Sequence, residues 1–269
     1  MEVENTKKMK ILCLHGFRTS GKFLQKQISK WDLSIFDAFE MVFPDGIFLA
    51  GGKSDIEGIF PPPYFEWFQF NPDFTEYENL DECITYLCEY IDNNGPFHGL
   101  LGFSQGATLS ALLLGYKRQG KVLKDHPPLK LFVSISGSKF RAPSIAEVAY
   151  KDPIEVRSVH FIGAKDWLRL PSEDLAAAFE NPLIIRHPLG HTVPRLDEEA
   201  LDQLRKWTNS ILQEIVANEE PKIEKRELKK IELQANEVKL KEAHENAVTE
   251  EHPKAGFSEI NSEQAEDKY

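Results

Sequence analysis

Short apolar runs alternate with segments of helical periodicity along most of the chain, and this alternation constrains the fold more than any other feature. The apolar runs end at glycine, proline or other turn residues, as buried strands do. They lie at residues 10–17, 39–46, 100–103, 129–137, 157–166 and 181–191. Helical spacing follows several of them, notably at 80–91 and 197–216. Strands that alternate with helices need crossover connections. We therefore predict the α/β class, with a doubly wound, mostly parallel sheet.

One strand-to-helix junction carries a serine between two glycines. The pentapeptide G-F-S-Q-G, with Ser104 at its centre, matches the nucleophile elbow of α/β-hydrolases, in which a strained turn presents the serine hydroxyl above the sheet. The alternative is a plain turn, in which the serine caps the helix and the glycines relieve crowding. A chain of this length should contain about 0.1 accidental matches. The rest of the sequence must therefore decide between the two interpretations.

A serine nucleophile needs a base, and the base needs a group that orients it. In α/β-hydrolases both partners follow later strands, at the carboxyl edge of the sheet. Asp166 follows a strand that breaks at Gly163, and His191 lies in the tight loop after the last strand. We predict that these residues form a catalytic triad with Ser104. The alternatives are a helix cap or turn aspartate and a surface turn histidine; His187 is the rival base.

Two backbone N–H groups are candidates for stabilising a tetrahedral oxyanion. The first belongs to Gln105, directly after the nucleophile, and the second to Phe17, after the early strand-like segment LCLHGF. Each preorganised donor of this kind can contribute about 3–4 kcal/mol to the transition state. The sequence therefore predicts an oxyanion hole formed by Phe17 and Gln105.

A long segment at residues 45–74, here called the aromatic segment, interrupts the alternation of strands and helices. It is rich in glycine, proline and aromatic residues. Segments of this length inside a domain are usually lids, binding loops or disordered, and the aromatic content argues against disorder. We expect the segment to cover an apolar acyl pocket, with Trp67 as a substrate contact. The alternative role for Trp67 is to fix the segment to the core.

Composition narrows the range of partners. A formal net charge of −11 over 269 residues argues against nucleic acid and anionic membrane surfaces as partners, and we expect no membrane span. The three cysteines, Cys13, Cys83 and Cys88, lack metal-ligand spacing, so we expect reduced thiols and no metal site. We expect a cytoplasmic protein, with the nucleus as an alternative location.

The chain is predicted to contain one domain and a tail. We expect a disordered N-terminus at 1–8, an α/β domain at 9–216 and a charged tail at 217–269. The tail has few branched apolar residues, which favours a solvated helix followed by disorder. A protein partner for the tail stays an open alternative.

Several motifs together resemble the FSH family of eukaryotic serine hydrolases, which are small α/β-hydrolases without a large cap domain. They are ILCLHGFRTSGKFLQKQ, the aromatic segment, GLLGFSQGA, SISG, GAKD and GHTVP. The resemblance runs from about residue 9 to 215. It implies a catalytic Ser104, Asp166 and His191 that hydrolyse carboxylic esters or thioesters without a cofactor. Family members are also tied to lipid-like and polyketide acyl groups. A small-molecule receptor and a non-catalytic interaction protein remain the alternatives.

Overall fold

A computed structural model describes residues 8–217 and six further positions, 230, 233, 234, 236, 237 and 239. The chain divides into two compact units, Met1–Leu212 and Gln213–Tyr269. In the second unit, the described residues are helical. The predictions for the N-terminus, apart from Lys8, and for most of the tail lie outside the described residues.

The first unit contains ten strands and six helices among its described residues. The strands are β1 Met9–Leu14, β2 Phe39–Val42, β3 Phe48–Leu49, β4 Phe65–Glu66, β5 Gln69–Phe70, β6 Tyr77–Glu78, β7 Phe97–Phe103, β8 Leu131–Ile135, β9 Arg157–Gly163 and β10 Leu183–His187. The helices are α1 Gly21–Ile28, α2 Leu80–Asn94, α3 Gln105–Arg118, α4 Pro143–Ala149 and α5 Arg169–Ala176, together with residues 198–212. A 3-10 helix spans Leu33–Phe36.

The central sheet has the strand order β10-β9-β8-β7-β1-β2, and all neighbouring pairs are parallel. The predicted doubly wound, mostly parallel sheet is confirmed. Strand order reverses between β1 and β7, where Leu14 pairs with Gly102. Ligands of open α/β sheets bind at such a reversal, beyond the carboxyl ends of the strands. The topology therefore brings the residues after β1 and those after β7 to one crevice.

The core lies on both faces of this sheet. Helix α3 packs on β1, β7 and β8, and it is buried continuously from Gln105 to Gly115 because its apolar residues surround the helix axis. Helix α2 instead buries one face, formed by Leu80, Cys83, Ile84, Leu87 and Ile91. In the described part of the chain, no helix combines the length and the apolar character needed to cross a membrane.

The aromatic segment is more regular than its sequence indicates. It contributes to two small antiparallel sheets, β3 with β4 and β5 with β6. Strands of two residues are too short to show an alternating pattern, which is why the sequence suggested only a loop. Between β2 and β7 the described residues form these two sheets and α2, and no large cap domain is present there.

Candidate active site

Ser104 stands in the turn between β7 and α3 with φ 51° and ψ −117°, a conformation that is costly for a residue with a side chain. Its side chain makes no capping hydrogen bond to α3. A Cβ atom at Gly102 would collide with the backbone of Ala107, and one at Gly106 with the carbonyl oxygen of Leu14. The two glycines therefore allow α3 to pack closely on the sheet, and this packing holds Ser104 in the strained turn.

The three predicted triad residues lie within hydrogen-bond distance of one another. The hydroxyl of Ser104 lies 2.8 Å from His191 Nε2, and His191 Nδ1 lies 3.0 Å from Asp166 Oδ1. Asp166 also accepts hydrogen bonds from the Ser136 hydroxyl at 2.6 Å and from the Leu168 N–H at 2.8 Å. A buried carboxylate with these partners holds the Nδ1 proton of His191, which leaves Nε2 to accept the serine proton.

Contacts between two loops fix the histidine above the aspartate. The Lys165 N–H donates to the carbonyl oxygen of Leu189 at 3.1 Å, and the Ala164 N–H donates to that of His187 at 2.8 Å. A Cβ atom at Gly163 would lie 2.6 Å from the Leu189 oxygen. The glycine that ends β9 therefore allows the loop after β10 to approach closely.

The rival base, His187, does not contact the serine. It is buried at the end of β10, and neither ring nitrogen has a hydrogen-bond partner among the described residues. Burial lowers the pKa of His187 below its usual range, although the charge of Asp166 acts in the opposite direction. Its environment is therefore that of a neutral core residue.

His15 orients the peptide group that carries the predicted Phe17 donor. The Gly46 N–H donates to His15 Nε2 at 2.8 Å, so Nδ1 carries the proton and donates to the carbonyl oxygen of Gly16 at 2.8 Å. The Thr19 hydroxyl donates to the same oxygen at 2.7 Å. Because this peptide bond is trans, the N–H of Phe17 points away from the anchored carbonyl. Burial lowers the pKa of His15 to about 4, which keeps its ring neutral.

Phe17 and Gln105 both line the same cavity as Ser104. The N–H of Phe17 makes no hydrogen bond within the described part of the chain, and that of Gln105 lies in the first turn of α3, where helix N–H groups lack intrahelical partners. For Gln105, the sequence indicated a role for the backbone N–H alone. Its side chain also accepts from the Trp67 N–H at 3.1 Å and donates to the Phe68 carbonyl oxygen at 2.7 Å. It thereby joins the elbow to the aromatic segment.

The structure does not place Trp67, the predicted substrate contact, in the wall of the cavity. Trp67 is 0% exposed and is not among the residues that line the cavity. Its indole N–H donates to the carbonyl oxygen of His15 at 2.9 Å, and its ring packs 5.0 Å from the His15 imidazole. The large apolar face of the indole is covered by the core, so Trp67 fixes the segment in place.

Other aromatic side chains form the wall of the cavity, which has a volume of about 550 Å³. The rings of Phe17 and Phe70 are 4.8 Å apart, and those of Phe70 and Phe74 are 4.7 Å apart. Trp167 continues the series at 6.1 Å from Phe74 and 5.3 Å from the His191 ring. A continuous apolar wall therefore leads to His191.

A parallel sheet with a serine elbow at its switch point and a histidine and an aspartate on later loops defines an α/β-hydrolase. Residues 2–202 match the family described as serine hydrolase (FSH1). The chain belongs to this family, as its motifs predicted. It is therefore a serine hydrolase of the esterase or thioesterase type.

Two named relatives and one solved structure each match about 70–80% of this chain. Esterase OVCA2 of Xenopus tropicalis is 30% identical over 206 residues, which cover 69% of this chain and 86% of the relative. A dihydrofolate reductase of Schizosaccharomyces pombe is 29% identical over 208 residues, 71% of this chain, and the match spans only 45% of that protein. The crystal structure of Zea mays acyl-protein thioesterase 2 has a TM-score of 0.56 at 20% identity and covers 79% of this chain and 97% of its own. This last similarity concerns the fold.

Proposed function

We propose that the protein hydrolyses carboxylic esters or thioesters through an acyl-enzyme on Ser104. The observation that carries this proposal is the continuous series of contacts from the Ser104 hydroxyl through His191 to Asp166, at 2.8 and 3.0 Å. Membership of the serine hydrolase family supports the same chemistry.

Each half of the reaction uses the same groups. In acylation, Ser104 Oγ attacks the carbonyl carbon while its proton passes to His191 Nε2, and the N–H groups of Phe17 and Gln105 bind the oxyanion. The intermediate then collapses, and the departing alcohol or thiol takes the proton from His191. In deacylation, His191 activates water, the acid is released, and Ser104 regains its proton. Asp166 orients and stabilises the imidazolium of His191 in both halves.

The aromatic cavity supports an apolar acyl chain as the preferred substrate. Phe17, Phe70 and Phe74 provide a wall next to the serine, and each buried methylene contributes about 0.8 kcal/mol to binding. We infer that kcat/KM increases with acyl length until the chain fills the cavity.

The experiment compares wild type with Ser104→Ala and Ser138→Ala. Ser138 is a matched control because it faces the same cavity and contacts the Thr108 hydroxyl at 3.2 Å. A fluorophosphonate should label wild type and Ser138→Ala, and both should hydrolyse a graded series of acyl esters and thioesters. Ser104→Ala should do neither. Labelling that persists in Ser104→Ala would overturn the assignment, and ligand binding without steady-state turnover would favour a receptor.

A further inference from the structure

An unpaired amide lies in the wall of the cavity, on helix α1. Gln27 is 7% exposed, and its Oε1 has no hydrogen-bond partner among the described residues. Both Gln27 and Phe23, one helical turn earlier, line the cavity. Burial of an acceptor without a partner is costly, and buried side-chain oxygens are nearly always paired. The oxygen is enclosed in this orientation of the amide, so a ligand in the cavity pairs with it only when the terminal amide rotates and exchanges its oxygen and nitrogen.

The neighbouring groups do not pair with this amide. Phe23 packs edge-on against Phe60, with ring centroids 5.2 Å apart, and Ile56 adds an aliphatic surface. The hydroxyl of Thr19 lines the cavity too, but its proton is directed to the carbonyl oxygen of Gly16 at 2.7 Å. Gln27 therefore brings an amide whose oxygen has no partner to an apolar part of the cavity wall.

We propose that Gln27 selects acyl chains that carry a hydroxyl group. A hydroxyl can donate to the amide oxygen or accept from the amide nitrogen, so it pairs with whichever of these atoms faces the cavity. A carboxylate has no proton to donate to Oε1. An unsubstituted alkyl chain would leave the amide unpaired. This inference rests on the proposed function, because it assigns the acyl chain to the cavity beside Ser104.

The test uses 4-nitrophenyl esters of one acyl length, either unsubstituted or with a hydroxyl at successive positions along the acyl chain. In wild type, kcat/KM for at least one hydroxyacyl ester should exceed that for the unsubstituted ester by about tenfold. Gln27→Met retains the length of the side chain without its polar atoms, and it should reduce this preference to about twofold or less. Gln25→Met is the matched control, since Gln25 is exposed on the same helix, and it should retain the preference.

Two kinds of failure are distinguishable. If wild type cleaves all the esters without favouring any hydroxyacyl chain, or if the preference survives in Gln27→Met, the inference about Gln27 is overturned and the proposed function stands. If wild type cleaves none of the esters and Ser104 is not labelled, the proposed function fails, and the inference fails with it. The wild-type comparison needs no variant, so misfolding of Gln27→Met does not prevent a decision.

Discussion

Ser104 adopts a left-handed backbone conformation that its neighbours make accessible. Gly102 and Gly106 remove the Cβ atoms that would keep α3 away from the strands, and the close packing then holds the serine at φ 51°. Strain of this kind costs about 1–3 kcal/mol and persists only where the surrounding structure imposes it. The elbow is therefore a property of the packed strand–helix unit.

His187 at the end of β10 and His191 in the loop that follows should differ sharply in their effect on catalysis. His191→Ala removes the base that contacts Ser104, and Asp166→Asn disturbs the tautomer of that base. Each should lower the acylation rate by about 10⁴-fold. His187→Ala should change this rate little, because its ring nitrogens contact no catalytic group. The burst phase with an activated ester measures acylation, and the opposite result for the two histidines would show that the base is misassigned.

The residues of the site differ in how far the sequence could predict them. The G-F-S-Q-G motif selects Ser104, and positions after later strands of a parallel sheet select Asp166 and His191; the structure brings the three side chains within hydrogen-bond distance. Trp67 was misplaced because hydrophobicity predicts that a side chain is covered but not which neighbour covers it. Gln27 lacked a sequence signal as well, since its unpaired oxygen depends on how the aromatic segment packs against α1.

At the scale of elements, the aromatic segment is fastened to the rest of the domain through a buried carboxylate. Glu66, whose side chain is 1% exposed, pairs with the Arg18 guanidinium at 2.7 Å. It also accepts from the Gly51 N–H at 3.1 Å and from the Gln69 amide at 2.8 Å. A buried charge is tolerated only when its oxygens are occupied in this way. These contacts hold both small sheets against the loop after β1.

Substitutions within this segment should separate anchoring from substrate binding. Trp67→Phe removes the hydrogen bond to the His15 carbonyl oxygen and should lower the free energy of unfolding by about 1–3 kcal/mol. For Trp67→Phe, kcat/KM should depend on acyl length in the same way as for wild type.

Phe70→Ala opens the cavity wall, and it should reduce kcat/KM most for long acyl chains. The loss should be about 0.8 kcal/mol of transition-state stabilisation per lost methylene contact. Urea unfolding and a series of acyl esters measure the two effects, and a length-dependent loss in Trp67→Phe would contradict this division.

At the scale of the molecule, the sequence predicted a parallel doubly wound sheet but not its strand order. The strand order depends on which strands pair across long crossover connections. The apolar sequences of β1 and β7 do not indicate which strands they pair with. The reversal between β1 and β7 emerges only from the packed sheet. It unites the loop of Phe17 with the elbow of Ser104, which lie far apart along the chain.

Acid should destabilise the whole domain through two buried histidines. Burial lowers the pKa of His15 to about 4 and that of His160, in β9, to about 3, below the usual 6.5. Below pH 6.5 the unfolded chain binds protons that the folded protein does not, so stability falls as the pH decreases. Between about pH 7.5 and pH 5 each histidine should account for a loss of about 2 kcal/mol.

The variant His160→Gln isolates one of these two contributions. Its side chain does not titrate, so the change in unfolding free energy between about pH 7.5 and pH 5 should be smaller than in wild type by about 2 kcal/mol. Urea unfolding at both pH values gives the comparison. Equal pH dependence in the two proteins would show that His160 is not responsible.

The hydrogen bonds of Trp67 and Gln105 have a consequence for how this enzyme family can diversify. They attach the aromatic segment to the loops of His15 and Ser104 through buried atoms, whereas Phe70 and Phe74 of the same segment line the cavity. We predict that mutations at Phe70 and Phe74 change the range of accepted acyl groups while the contacts among Ser104, His191 and Asp166 are retained. Substrate specificity can therefore change, by natural or directed evolution, without a change in the geometry of the active site.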